Sequence, residues 1–333
     1  MAASITVKDF RLYRYRRLLH NGCYRCGLIL KVTDRSGNTG WGEIAPLPGF
    51  SREHLAAATA ELQQKIVPLI AAKTVLADEL NHTLLSCYPS VQFGVEAAWL
   101  DLICPCAAPS IPVSGLIQGS KKALQTKLQH CCYSTIKLKL TALALQEAHA
   151  VIDAALSSLT QTKIRIDANQ SWTLSEALSI AAKIPLSQLD YYEEPLRHFT
   201  ASYSFPYPTA YDETARQQPL DRLIANPYLK AIVVKPTLSG GLTQLSPIAA
   251  FCRKKSIDFI LSSSYESELG LMQIAKLCNY LQLPPRPMGL DTYRYFQTPL
   301  LSPPITVQAG QLVTPRQWRI NEELVDECFR MSL

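Results

Sequence analysis

The sequence has no unbroken apolar run of the ~18 residues that a membrane-spanning helix needs. Its opening stretch, MAASITVKDFRLYRY, carries charges where an export signal requires an apolar core. No membrane partner is expected, and the expected location is the cytoplasm. Long polar or biased tracts are also missing: 47% of the 333 residues are hydrophobic and 18% charged, which predicts an ordered fold rather than disorder. Charge of one sign is scarce too. A formal net charge of +6, with Lys and Arg scattered rather than gathered beside aromatics, argues against nucleic acid as a partner. Finally, Cys23-x-x-Cys26 lacks the second pair or the nearby histidines that would complete a zinc site. The ten cysteines fall mostly in apolar stretches such as that of Cys104 and Cys106, so reduced, buried thiols are expected.

The length suits a barrel of roughly 250 residues with an accessory domain better than one compact core. Residues 5–17 and 27–37 read as strands, and residues 53–72 and 92–103 as helices, with Ser51 placed to cap the first helix. From about residue 111 short apolar strands alternate with amphipathic helices, the pattern of a parallel βα array. The strands predicted are 113–117, 135–140, 163–168, 189–195, 209–213, 230–236, 258–264 and 289–292. Eight at this spacing favour a closed barrel. Proline clusters at 105–112 and 299–304 suggest boundaries, giving domains 1–105, 106–298 and 299–333. The final segment, from ITVQAGQLVTP (305–315) onward, resumes strand character and is expected to return toward the first domain.

Strand side chains alternate with period two. In TIKLKL the residues Ile136, Leu138 and Leu140 therefore share one face, and Lys137 and Lys139 the other. If the apolar set faces the surrounding helices, both ammonium groups point inward, where unpaired charge is costly and acidic partners are required. The same parity puts Asp167 and Asn169 opposite Ile164 and Ile166. Glu193 and Asp212 lie at the C-terminal ends of the next two strands, and Lys235 follows in IVVKP. That end of a parallel barrel is where active sites form. Three carboxylates converging there would repel unless a cation sat between them, and all-oxygen ligation suits Mg²⁺, or Mn²⁺, better than zinc.

The motifs that carry this pattern are KLK (137–139), DANQSWT (167–173), EEP (193–195), DET (212–214), VVKPTLSGG (233–241), SSSYESELGL (262–271) and GLDT (289–292). They are preceded by GWGEIAPLPGFS (40–51) and PSVQFGVEAAW (89–99). Together they resemble the Lys/Lys, muconate-lactonizing-like subgroup of the enolase superfamily, and within it the o-succinylbenzoate synthase family. The resemblance implies an α/β fold: a modified TIM barrel, (β/α)7β, under an α+β N-terminal capping domain completed by the C-terminal segment. It implies a lyase that dehydrates a small carboxylate, with Asp167, Glu193 and Asp212 holding Mg²⁺, Lys139 as acid/base, Lys235 as electrostatic partner and Lys137 in support. It further implies substrate contacts from Asn169, from Ser262, Ser263 and Ser264, from the loop residues Gly49 and Phe50, and from the cap residue Arg25.

The same constellation also serves racemisation of N-succinyl or other N-acylamino acids and dipeptide epimerisation, in which both Lys139 and Lys235 act as bases. A barrel kept only for binding is a remoter reading.

Overall fold

Three antiparallel strands open the chain: β1 (Ser4–Leu18), β2 (Tyr24–Asp34) and β3 (Thr39–Ile44). The computed structural model describes residues 4–104, 109–129, 132–141, 143–199 and 204–333. The expected boundary at 105/106 and the residue Cys106 lie outside these.

The alternation on β3 explains why the sequence reads GWG. Gly40 and Gly42 share one face, and a Cβ on either would stand 1.9 Å from a backbone oxygen of helix α2 (Pro89–Ile103), that of Ala98 or of Gly94. Bare backbone on the strand lets the helix lie directly against the sheet, and Gly94 on the helix makes the same room beside Ile44. The helix before it differs from expectation. Helix α1 (Leu55–Glu61) is capped by His54, whose Nδ1 accepts from Ala57 N at 3.1 Å, and it passes into a π-helical turn at Leu62–Ile66. Ser51 does not cap it. The Ser51 hydroxyl instead accepts from Leu47 N at 2.8 Å, which folds the preceding loop on itself.

The barrel follows as seven parallel strands: β4 (Gly115–Ile117), β5 (Thr135–Lys139), β6 (Lys163–Asp167), β7 (Leu189–Glu193), β8 (Thr209–Tyr211), β9 (Leu229–Val234) and β10 (Asp258–Leu261). The eighth strand expected at 289–292 shrinks to two parallel bridges, Val113 with Met288 and Ser262 with Gly289, and these join the first and last strands. Met288 N donates to Pro112 O at 2.8 Å and Gly289 N to Leu261 O at 2.9 Å, so the seam is narrow but bonded on both sides. Beyond it Asp291 and Thr292 turn into a short 3₁₀ turn, because their side chains bond back into the barrel wall rather than continue a ladder.

The strand that returns to the first domain is β11 (Val325–Ser332), antiparallel to β1 from Asp9–Ser332 to Tyr15–Val325. The earlier stretch 305–315 does not. Its strands Thr306–Gln308 and Gln311–Val313 pair with each other and with Ile111–Pro112 beside the barrel. Among the described residues no helix is long and apolar enough to cross a membrane. The described cysteines are free, as expected, but only Cys87, Cys252 and Cys278 are buried. Cys23, Cys104, Cys132 and Cys328 are exposed because they lie in a turn, at a helix end, in a loop and on an edge strand.

Candidate active site

The strand register assembles the site. Lys139 ends β5 and is in register with Asp167 at the end of β6, which in turn pairs with Glu193 at the end of β7. Asp212 directly follows β8 and Lys235 directly follows β9. The parity argument holds on β5: Ile136 and Leu138 are fully buried toward the helices, while Lys137 and Lys139 face the interior of the ring. All these chemical side chains therefore stand at one mouth of the barrel, around a cavity of about 70 Å³ that Lys137, Lys139, Asp167 and Lys235 help to line.

Asp167, Glu193 and Asp212 are each 1% exposed. They do not meet at a common point. Lys137 Nζ lies between the first two, 2.9 Å from Asp167 Oδ2 and 2.7 Å from Glu193 Oε1, and Lys235 pairs with Asp212. Among the described residues no three acidic, histidine or cysteine side chains are drawn together as a ready-made metal cage; the acids are paired with lysines instead. Lys139 makes no ion pair among the described residues.

Burial drives the Glu193 carboxyl up to about 7; Lys137 opposes this, and Asp167 and Asp212 reinforce it. For Asp167 burial also pushes upward, but Lys137 and Lys139 outweigh it and hold the group below its usual range. Lys137 is held well above its ordinary value by Asp167 and Glu193 in spite of burial. Asp212 Oδ1 is buried with no hydrogen-bond partner, and Arg216 Nε comes no closer than 4.0 Å. Glu213 Oε2 beside it is likewise orphaned, and burial together with Asp212 raises the Glu213 carboxyl. Four clustered acids, with two buried oxygens unsatisfied, form an oxygen cluster that fits a hard divalent cation.

The residues expected to touch substrate fare differently. Ser262 and Ser263 line the cavity, with Ser263 Oγ 2.6 Å from Thr292 Oγ1 and Ser262 Oγ donating to Gly289 O at 3.3 Å. Ser264 Oγ is buried without a partner and lies outside the cavity wall. Asn169, at φ 42°, accepts from Thr141 at 2.9 Å and its amide reaches Glu213 at 3.4 Å, beside the acids. Gly49 and Phe50 are exposed and do not line the cavity. Arg25 is 3% exposed, and its guanidinium donates to five backbone carbonyls, those of Cys26, Ala45, Pro46, Ser264 and Tyr265. No donor is left over, so Arg25 fastens the cap to the loop after β10.

Two acids unnoticed in the sequence organise the surroundings. Glu194 accepts from Asp212 N at 2.8 Å, Thr214 N at 2.7 Å, Thr214 Oγ1 at 2.7 Å and Gln170 Nε2 at 3.1 Å, which fixes the backbone that carries Asp212. Burial pushes its carboxyl up to about 6 against those bonds. The doubled glutamate of EEP was the available signal. Glu43 of GWGEI accepts from Tyr15 Oη at 2.5 Å and, at the N-terminus of helix α3 (Glu268–Tyr280), from Ser267 N, Ser267 Oγ and Gly270 N at 2.9, 2.5 and 2.9 Å.

Residues 120–318 match the family described as enolase C-terminal domain-like, and residues 7–102 match the MenC N-terminal domain. An o-succinylbenzoate synthase of Haemophilus influenzae is 32% identical over 302 residues, covering 86% of this chain and 90% of that protein. The solved L-Ala-D/L-Glu epimerase of Bacillus subtilis superposes with a TM-score of 0.78 at 17% identity, covering 93% of this chain and 97% of that one. The o-succinylbenzoate synthase of Thermosynechococcus elongatus BP-1, solved with magnesium in its active site, gives a TM-score of 0.67 at 24% identity over 88% of this chain and 95% of that one. With both domains matched and near-full-length relatives above 30% identity, the chain belongs to the o-succinylbenzoate synthase family of the enolase superfamily.

Proposed function

We propose that this chain is an o-succinylbenzoate-forming hydro-lyase that removes water from 2-succinyl-6-hydroxy-2,4-cyclohexadiene-1-carboxylate. The observation that carries this reading is the match of the cap, residues 7–102, to the MenC N-terminal domain. Barrel and lysine pair are common to the racemase and epimerase readings, so the barrel alone does not separate them. The likeness to the epimerase, at 17% identity, extends to the fold alone.

The chemistry asks for a base at the carbon α to the ring carboxylate and for positive charge where that carboxylate gains electron density. Lys139, in no ion pair among the described residues and lining the cavity, is the base in this reading. Its Nζ takes the α proton, and the C–H electrons pass into the carboxylate as a dienediolate. The ring then expels the hydroxyl on the same face, and Lys139 returns its proton so that water leaves and the ring becomes aromatic. Lys235, on the far side of the acids, faces the intermediate as a cation over its π system. Lys137 braces Asp167 and Glu193. Asp167, Glu193 and Asp212 are the residues that would hold Mg²⁺, or Mn²⁺, which supplies positive charge to the substrate carboxylate when bound. A lysine base working beside such a cation is the general pattern of enolase-type sites.

The test is direct. Purified enzyme with Mg²⁺ and the cyclohexadiene substrate is expected to show the rise in ultraviolet absorbance of aromatisation. Absence of that rise, with racemisation of N-succinylamino acids in its place, would overturn the reading.

A further inference from the structure

The cavity has two chemically different sides. Lysines and acids occupy the arc from β5 to β9, whereas among the described residues that line the cavity the arc from β10 across the seam to β4 has no lysine or arginine. Arg25 is fully bound to carbonyls, and Asp291 accepts from Leu116 N at 3.0 Å and Tyr133 Oη at 2.8 Å. What lines that arc is Gln118, just past β4, and Tyr265; Tyr295 stands behind them and reaches the arc through its phenol oxygen at Gln118.

The Gln118 carboxamide donates both of its hydrogens, to Tyr265 Oη at 3.1 Å and to Tyr295 Oη at 2.7 Å. The two rings meet edge to face, 5.4 Å between centroids at 89°. Each phenol oxygen thus accepts from the amide, and neither phenol proton has another acceptor among the described residues. Gln118 and Tyr265 line the cavity. Tyr265 sits at φ 58°, a conformation costly for a non-glycine residue, and is pinned there by Arg25 Nε donating to its carbonyl at 3.1 Å. Lys127 Nζ bonds Gln118 O at 3.1 Å and lies 6.0 Å from the Tyr295 ring, which adds positive potential behind the pair. Burial lifts the Tyr295 phenol to about 12, so it stays a donor.

We propose that Tyr265 and Tyr295, oriented by Gln118, form a neutral-donor subsite for the distal carboxylate of a dicarboxylate substrate. This deepens the dehydratase reading and rests on it: the substrate's ring carboxylate belongs with the acids and lysines, and its succinyl carboxylate then extends toward the opposite arc. Two phenol O–H donors at a charged acceptor are short, strong hydrogen bonds. Their alignment makes Tyr265 and Tyr295 specificity residues rather than proton-transfer groups.

The experiment compares wild type with Tyr265→Phe, Tyr295→Phe and Gln118→Glu in the presence of Mg²⁺. Phenylalanine keeps the ring packing and removes only the donor. Each Phe variant is expected to raise KM for the cyclohexadiene substrate about tenfold with kcat within about twofold of wild type, as loss of a hydrogen bond to a charged group predicts. The inhibition constant of o-succinylbenzoate should rise in step, while that of benzoate, which lacks the succinyl arm, should not change. Gln118→Glu, which offers the phenols an internal carboxylate, should weaken o-succinylbenzoate more than either. Unchanged KM and o-succinylbenzoate inhibition in both Phe variants, with wild type active, would overturn the subsite alone. Equal weakening of benzoate and o-succinylbenzoate would do the same. No turnover by wild type would overturn the activity and the subsite with it.

Discussion

Lys137 and Lys139 are two residues apart on one strand and point the same way, yet one is locked between two buried acids and the other is free to face the cavity. Their removal should therefore fail in different ways. Lys139→Ala is expected to lower kcat by about 10²–10⁴ or more with little change in melting temperature, since the side chain holds nothing in place. Lys137→Ala leaves Asp167 and Glu193 buried without their counter-charge. It should cost roughly 3–5 kcal/mol of stability in the metal-free enzyme, much of it recovered on adding Mg²⁺, which a melting series with and without the metal will read. Another residue-scale expectation concerns Glu96 in α2. Burial raises its carboxyl above the ordinary value, against hydrogen bonds from Thr243 N at 3.3 Å. A folded-state value above the unfolded one favours folding at low pH and loses that advantage as pH rises through the folded value. The melting temperature of wild type relative to Glu96→Gln should accordingly fall as pH rises out of the ordinary carboxylate range and through the raised folded value. At this scale the sequence was readable wherever period-two alternation decides orientation, as on β5 and β6. It offered Arg25 only as a substrate contact and passed over Glu194, because their bonding is set by partners that no local pattern announces, Ser264 and Tyr265 for one and the backbone of Asp212 and Thr214 for the other.

Helices and strands show the same division. Gly40, Gly42 and Gly94 could be read as small, but only the closeness of α2 to β3 explains them. The eighth strand failed as a strand because Asp291 and Thr292 bond sideways into the wall, while its neighbours Met288 and Gly289 still close the ring. Glu43 is the element-scale counterpart of Lys137: one cap side chain, 1% exposed, satisfies four donors, three of them at the start of α3. Each buried donor left unpaired costs about 1–3 kcal/mol, so Glu43→Ala should lose at least about 3 kcal/mol of stability by urea titration. Because α3 begins just after the loop that carries Ser262, Ser263 and Tyr265, the same variant should also raise KM.

For the molecule as a whole, the acid cluster ties metal to stability. A cation that binds the folded chain and not the unfolded one adds about 2.7 kcal/mol at a hundred times its dissociation constant. Millimolar Mg²⁺ should therefore raise the melting temperature of wild type and leave that of Asp212→Asn unchanged, and a flat wild-type response would argue against metal binding at these acids. The fold class was legible at this scale because βα alternation repeats along the chain. Which part of the final segment rejoined the cap was not, since the sequence reading runs on from residue 305 without division and only pairing separates 306–308 from 325–332.

That last pairing sets an order of events. Strand β1 is synthesised long before its neighbour β11: Cys328 Sγ reaches Leu12 O across 316 positions of sequence. Throughout translation of the barrel, the edge of β1 from Asp9 to Tyr15 has no native partner, and closing so long a loop is slow. The cap reaches its finished form only after the barrel beneath it has been made, so a ribosome-bound chain that stops short of β11 carries the whole cluster of acids and lysines and still lacks a complete lid.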